Sequence, residues 1–478
     1  MKHYGKFYIG GEWVDPVQSR TVELINPATE ETFATAALGS EDDVDRAVTA
    51  AKKALPGFSA TSKQERIALF ERIVEVVEAR QEQIMAGITR ELGAPCSMKE
   101  QVRGTMTVFR TAIALLKDYS FETRLGNAIL RREPIGVVGL ITAWNWPVQS
   151  LAIKLASALG AGNTVVLKPS EFTPSSAIHL AEALHEAGVP PGVFNLVNGD
   201  GPTVGNAICR HPGIAMVSMT GSTKSGILVA EAAAKTVKRV CQELGGKSAN
   251  LILPDADLAG AARSSVARGF ANTSQSCHAP TRILVHKDQK DAFVKLLAEE
   301  TGKLRVGDPM DPATTMGPVV NKSQFERVQR YIESAIGEGA TLVCGGPGRP
   351  HGMTQGYFVQ PTIFSDVTPD MTIAREEIFG PVLAVLTYAD EDEAVALANG
   401  TPFGLGAYVF SGDNKKGRAV CERLQAGRVF YNGDPGDLSA PMGGYKQSGN
   451  GREVGVFGLE EYCEVKAIFG FQEPVAAL

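Results

Sequence analysis

Residues 135–169 read IGVVGLITAWNWPVQSLAIKLASALGAGNTVVLKP. IGVVGLIT is a continuous, β-rich apolar run, and NTVVLKP (163–169) is another. Between them, WNWPVQSLAIKLASALGAG has helical spacing and a glycine-rich stop. Apolar strands joined by a helix describe a β-α-β unit whose strands are buried on both faces, and therefore a parallel sheet. The series continues through TPSSAIHLAEALHEAG, with Thr173 and Pro174 as a helix start, and then through GVFNLVNG, GIAMVSMTG and STKSGILVAEAAAK.

After about residue 245 the alternation resumes. SANLILP (248–254) precedes a helix from Asp257, TRILVHK (281–287) precedes DAFVKLLAEETGKL, and PVLAVLTY (381–388) precedes EDEAVALANG. This second series predicts a second α/β domain, and 478 residues are too many for one ordinary core. Residues before 118 read mainly as amphipathic helices, such as KQERIALFERIVEVVEARQEQIMAGITREL. The start, MKHYGKFYIGGEW, reads as a strand with a Gly-Gly turn and lacks the apolar core of a signal peptide. Two pieces fit neither domain: FETRLGNAILRREP (121–134), a polar hairpin, and EEYCEVKAIFGF (460–471), a closing strand. Exposed strands need cover, so a homodimer or homotetramer completed through them is expected.

Composition narrows the function classes. The excess of 53 acids over 47 bases, a net charge of −6, gives no basic footprint for nucleic acid. No apolar run reaches membrane-spanning length, so a cytoplasmic protein without a membrane partner is expected. The seven cysteines at 96, 209, 241, 277, 344, 421 and 463 are scattered, with no C-x-x-C and no ligand spacing for zinc. Neither a disulfide framework nor a metal site is expected.

Several glycine-bearing turns follow strands. VNGDGPTVG (197–205) is one residue too long for a dinucleotide fingerprint and has no acid about 20 residues on. TGSTKSG (220–226) ends a strand and opens a helix, where N–H groups would face a phosphate. LKPSE (167–171) places Lys168 and Glu171 at the carboxyl end of a strand, the edge where open α/β sheets bind ligands. FANTSQSCHAP (270–280) ends a small polar run in Cys277, which on its own fits a small buried thiol as well as a nucleophile. In the same way Asn145 fits an N-cap, and Glu243 fits a partner for Lys247.

Together, TAWNWP, LKPSE, TGSTKSG, ELGGKSAN, the Cys277 segment, EEIFGPV and PMGGYKQSGNGRE occur in an order that resembles the NAD(P)-dependent aldehyde dehydrogenase superfamily across essentially the whole chain, with Cys277 34 residues after Glu243. The resemblance implies an α/β, aldehyde dehydrogenase-like fold of two doubly wound parallel-sheet domains plus a small β oligomerisation arm. It divides the chain into an NAD-binding domain (1–118 and 135–244), a catalytic domain (245–447) and a bridging element (119–134 and 448–478). It makes Cys277 the nucleophile, Glu243 the general base and Asn145 the side-chain donor to the oxyanion. Lys168 and Glu171 would hold the adenosine ribose, Gly221 and Ser222 would approach the pyrophosphate, and Trp144, Glu377 and Phe379 would lie toward the nicotinamide.

The chemistry makes its own sense of these residue types. The trigonal carbon of an aldehyde has no alkoxide to expel hydride, so a thiolate adds first and makes a thiohemiacetal. Preorganised donors hold the new oxyanion, each worth about 3 kcal/mol. Hydride then leaves to NAD, and a carboxylate of raised pKa activates water to hydrolyse the thioester.

The chain departs from the family pattern at three places: Ala143 stands where proline is usual, Ser274 where glycine is usual, and Met442 where phenylalanine is usual. If position 274 needs positive φ, serine there costs about 1 kcal/mol or the loop shifts. His278, Trp146, Gln149 and Met442 are expected to line the substrate pocket. None of these is an arginine, which points to a neutral medium-chain or aromatic aldehyde rather than a dicarboxylic semialdehyde. Glu171 would repel a 2′-phosphate and so favours NAD, although Lys168 beside it leaves NADP open. Two alternatives are a CoA-acylating semialdehyde dehydrogenase, which would not need Glu243, and a catalytically silent NAD-binding protein of the same fold.

Overall fold

Val137–Ile141 and Thr164–Lys168 pair in parallel, with Val138 opposite Val165 and Ile141 opposite Lys168, in a computed structural model that describes residues 2–18 and 20–471. They sit inside a sheet whose parallel strands run, in spatial order, Arg239–Glu243, Met216–Thr220, Val137–Ile141, Thr164–Lys168 and Phe194–Leu196. Gly449–Asn450 closes one end antiparallel, and the hairpin Phe7–Ile9/Glu12–Val14 closes the other around the Gly10–Gly11 turn. From Val137–Ile141 the chain runs outward to one side and then returns to build the other, so the winding reverses beside the first strand. Such a reversal opens a crevice at the carboxyl ends of the strands.

Period-two alternation explains the burial. Val138, Leu140, Val165 and Leu167 face one core with Phe109, Leu151 and Leu155. Their neighbours Val137, Ile141, Val166 and Val217 face the other with Val44, Ala47 and Ile208. A sheet buried on both faces is what made the strands read as unbroken apolar runs.

The second sheet has the spatial order Thr341–Cys344, Thr362–Ser365, Val382–Tyr388, Arg282–His286, Ala249–Ile252, Gly406–Phe410 and Arg428–Tyr431, all parallel except the first. It too splits its residues between two cores, with Leu251, Leu284 and Leu386 on one face and Ile252, Ile283 and Val385 on the other. Glu243 ends a strand of the first sheet and Ala249 begins one of the second. Five residues therefore carry the chain from the carboxyl edge of one sheet to the amino edge of the other, and these two edges face each other.

The long helical stretch divides at Arg80 into Lys63–Ala79 and Gln81–Leu92. Arg80 turns its guanidinium onto Glu182 and Glu186 of helix Pro174–Glu186. Lys2–Tyr4, Glu31–Ala37 and Thr21–Asn26 form a small sheet that the amphipathic-helix reading of the N-terminal region passed over. The orphan segments pair with each other: Glu122–Leu125, Ala128–Pro134 and Cys463–Phe469 make an antiparallel three-stranded sheet that leaves Leu125, Val465 and Phe469 exposed. Upstream of it, helix Gly455–Glu461 packs on Glu100–Asp118 and Gln149–Gly160. Among the described residues no helix is long and apolar enough to cross a membrane.

Candidate active site

Two strand ends and three loops meet between the facing sheet edges. The loop after Val137–Ile141 carries Asn145, which is buried, and its amide Nδ2 donates to the Gln275 carbonyl at 3.0 Å. Its own main-chain carbonyl accepts from Gln101 Nε2 at 3.1 Å and Asn272 Nδ2 at 2.9 Å. Asn145 is therefore not an N-cap; helix Gln149–Gly160 begins after Val148. One amide hydrogen is used on Gln275 and the second remains for another acceptor.

The Cys277 loop leaves helix Leu258–Gly269 through three successive left-handed residues: Asn272, Thr273 and Ser274, with φ of 52°, 58° and 57°. Gln275 then fixes the loop, its Oε1 accepting from Val320 N at 2.9 Å. Trp146 Nε1 donates to Ser276 Oγ at 2.8 Å, and Tyr408 Oη donates to the His278 carbonyl at 3.0 Å. Position 274 does stand at positive φ, as its usual glycine implied.

The two glycines of ELGGK make the crevice possible. A Cβ on Gly246 would lie 2.3 Å from the Cys277 carbonyl oxygen, and one on Gly245 would lie 2.5 Å from Glu377 Oε2. Without side chains, this segment lets the Cys277 loop and the Glu377 carboxylate approach together, and Gly246 N–H donates to Glu377 Oε1 at 2.9 Å. Cys277 is partly exposed. Burial of its sulfur, helped by the negative charges of Glu377 and Glu243, pushes the thiol up to about 12, while the N–H groups of Cys277 and His278 oppose the shift.

Glu243 is buried at the end of its strand, and its Oε1 has no hydrogen-bond partner. Burial and then the nearby Glu453 carboxylate hold it well above the usual carboxylate range, against the pull of Lys154, Arg452 and Arg428. It is not paired with Lys247, whose Nζ makes no hydrogen bond and which burial and Arg282 hold down to about 7. Lys154 contacts Glu453 in a fully buried ion pair, with Lys154 Nζ 3.2 Å from Ser218 Oγ. The sequence reading missed Lys154, Glu453 and Gln101; a lysine inside the apolar run SLAIKLASALG was the available signal for the first.

His278 keeps exposed surface, yet the protein packed about it withdraws water from its imidazole. That enclosure, with the Arg428 and Arg268 guanidinium groups near it, lowers the imidazole to about 4. Gln149 packs on Gly104, where a Cβ would meet its amide at 2.5 Å. Met442 exchanges backbone hydrogen bonds with Glu453 at 2.8 and 2.7 Å.

On the first sheet's edge, buried Lys168 donates to the Pro169 carbonyl at 2.8 Å, the Gly199 carbonyl at 2.7 Å and Glu171 Oε2 at 3.3 Å. Glu171 stays partly exposed. Ser222 caps helix Thr223–Ala234 through Ser225 N at 3.2 Å, next to Gly221. Trp144 meets Phe379 edge-to-face at 5.2 Å. The buried Thr142 Oγ1 and the Asn198 amide on this edge lack partners. The VNGDGPTVG turn (197–205) is occupied by packing instead: Asp200 caps it through Thr203 N at 2.7 Å and pairs with Arg20, and a Cβ on Gly199 would strike Val204 at 2.2 Å. A half-exposed carboxylate for ribose hydroxyls, a capped helix opening for a pyrophosphate and unsatisfied polar groups fit a dinucleotide. Among the described residues no cluster of three or more His, Cys, Asp or Glu is placed to hold a metal ion.

Fold and crevice together define a two-sheet α/β protein in which a cysteine loop faces the ligand-binding edge of a parallel sheet. The chain belongs to the aldehyde dehydrogenase family, whose model matches residues 13–468. It is 50% identical over 475 residues to 3-succinoylsemialdehyde-pyridine dehydrogenase of a Pseudomonas species, covering 99% of this chain and 100% of that one. Among solved structures it is similar to an alanine-for-cysteine variant of aldehyde dehydrogenase C from Pseudomonas syringae in complex with NAD+ and octanal, with TM-score 0.97, 50% identity and coverage of 99% of this chain and 98% of that one. It is also similar to a Mycobacterium tuberculosis aldehyde dehydrogenase in complex with NAD+, with TM-score 0.95, 39% identity and coverage of 100% and 99%.

Proposed function

We propose that the protein oxidises a neutral medium-chain or aromatic aldehyde to its carboxylic acid with NAD, without CoA, through Cys277. The observation that carries this reading is that one loop both brings the Cys277 carbonyl against Gly246, three residues after Glu243, and takes the Asn145 amide on its Gln275 carbonyl. Cys277 passes its thiol proton to Glu243, which releases it to solvent; Sγ then adds to the aldehyde carbon, and the second amide hydrogen of Asn145 with a backbone N–H receives the oxyanion. When bound along Glu171, Ser222 and Trp144, the dinucleotide supplies the hydride acceptor that allows the thiohemiacetal to become a thioester. Glu243, with an oxygen free of partners, then takes a proton from the water that cleaves the thioester. Glu453 of the Lys154–Glu453 pair adds to the effect of burial on Glu243, and Lys154 opposes it.

Two findings refine the cofactor and product. Lys168 spends its amine on three protein oxygens, so it is poorly placed to receive a 2′-phosphate, which supports NAD over NADP. The raised, unpartnered Glu243 supports hydrolysis over acyl transfer to CoA. For the substrate, a neutral or aromatic tail is supported by the relative solved in complex with octanal and by the relative named 3-succinoylsemialdehyde-pyridine dehydrogenase. We also propose a homodimer or homotetramer built through the sheet of Glu122–Leu125, Ala128–Pro134 and Cys463–Phe469, in a cytoplasm whose reducing conditions suit seven free thiols.

The test is NADH appearance with octanal, benzaldehyde, a pyridine-bearing aldehyde and succinic semialdehyde, without CoA, beside Cys277→Ala. Turnover by wild type alone, fastest on a neutral aldehyde, is the expected result. A strict requirement for CoA, or no turnover with any cofactor, overturns the reading.

A further inference from the structure

The left-handed turn before the nucleophile has no role in the reaction as described so far. Three consecutive non-glycine residues at positive φ are unusual, and threonine there is an outlier because its branched Cβ crowds the backbone. Such backbone persists only where its surroundings hold it. Here each of the three residues is buried and anchored by its own side chain. Asn272 Nδ2 reaches the Asn145 carbonyl at 2.9 Å and the Gln275 carbonyl at 3.3 Å. Thr273 Oγ1 donates to the Gly317 carbonyl at 3.0 Å. Ser274 Oγ donates to the carbonyl of Gly269, an orphan acceptor at the end of helix Leu258–Gly269.

We infer that Ser274 is a positioning residue: its hydroxyl, seated on the Gly269 carbonyl, holds the left-handed turn that keeps the Gln275 carbonyl on the Asn145 amide and the Cys277 carbonyl against Gly246. Serine at this position carries a steric penalty that glycine would not, and the hydroxyl offsets it. The turn ends one residue before Gln275 and three before Cys277, so its relaxation rotates the thiol and the oxyanion donor out of register. The inference rests on the reading of Cys277 as nucleophile and Asn145 as oxyanion donor.

Two substitutions that remove the same hydroxyl therefore differ in effect. Ser274→Ala keeps the Cβ and loses the anchor, so kcat falls by about tenfold or more, because small misplacements of reacting groups cost that much. Ser274→Gly loses the anchor together with the penalty, so the turn persists and kcat stays within about threefold of wild type. KM for NAD is unchanged in both. In an Asn145→Ala background, Ser274→Ala adds little further loss, because both act on one geometry. Wild-type kcat in Ser274→Ala, or equal losses in Ala and Gly variants that multiply with Asn145→Ala, overturns the inference. The rate of Cys277 alkylation by iodoacetamide is measured on the same set and needs no aldehyde. If wild type oxidises no aldehyde, the functional reading fails; the turn is then judged by whether alkylation changes in Ser274→Ala and returns in Ser274→Gly.

Discussion

Burial raises both Glu243 and Cys277 above their ordinary ranges, because a site that excludes water disfavours the charged form of each. For Glu243, the base proposed above, the raised pKa has a cost for the fold. A carboxyl whose folded pKa is raised binds more protons in the native state than in the unfolded state, so it lowers stability as pH climbs from the ordinary carboxylate range toward the raised value. Glu243→Gln removes that loss. Its melting temperature should exceed wild type by a margin that grows with pH, read by thermal scans between pH 5 and 9 at roughly unit steps. The same variant should release about one equivalent of NADH per subunit and then stall, because the thioester has lost its base. A margin that stays flat with pH, or full steady turnover, would mean that Glu243 neither titrates there nor activates water. Cys277, Glu243 and Asn145 were legible as an ordered set of motifs. Lys154 and Glu453 were not, since their pairing joins residues 299 positions apart and only the folded chain brings them together.

At the scale of elements, the parallel strands were readable because burial on both faces leaves apolar runs such as GVVGLI and NTVVLK, and the intervening helices carry their own period. The break at Arg80 and the sheet formed by Thr21–Asn26 and Glu31–Ala37 were not, because no glycine or proline marks the first and short strand pairing decides the second. The glycines of ELGGK were visible as letters, but their purpose appears only when two other segments press against them. That closeness makes a sharp prediction. Gly246→Ala puts a methyl 2.3 Å from the Cys277 carbonyl oxygen, a distance that backbone cannot accommodate without moving. The loop should shift and kcat should fall by about a hundredfold, with circular dichroism unchanged. Gly337→Ala, where a Cβ meets nothing within 4 Å at the end of a surface helix, should leave the rate at its wild-type value. Equal effects from the two substitutions would show that the contact at Gly246 is slack.

Across the whole molecule, the two large sheets bury their faces while the small one does not. Glu122–Leu125 has no buried residue, and Cys463–Phe469 buries only its first. Val465 and Phe469 are 60% and 65% exposed on an edge strand that offers unpaired backbone groups beside them. An edge of this kind either recruits unwanted strands or is covered by its intended partner. Lysine and glutamate on the neighbouring strands, paired as Lys466 with Glu133, limit indiscriminate pairing without hiding the apolar residues. A second copy of the chain is the partner that symmetry supplies most simply. Val465→Glu combined with Phe469→Glu should therefore lower the mass measured by sedimentation to that of one chain, while the far-ultraviolet dichroism of the two large sheets is retained. An unchanged assembly would move the interface to another surface, and a wild-type protein that sediments as a single chain would leave the small sheet with some other duty.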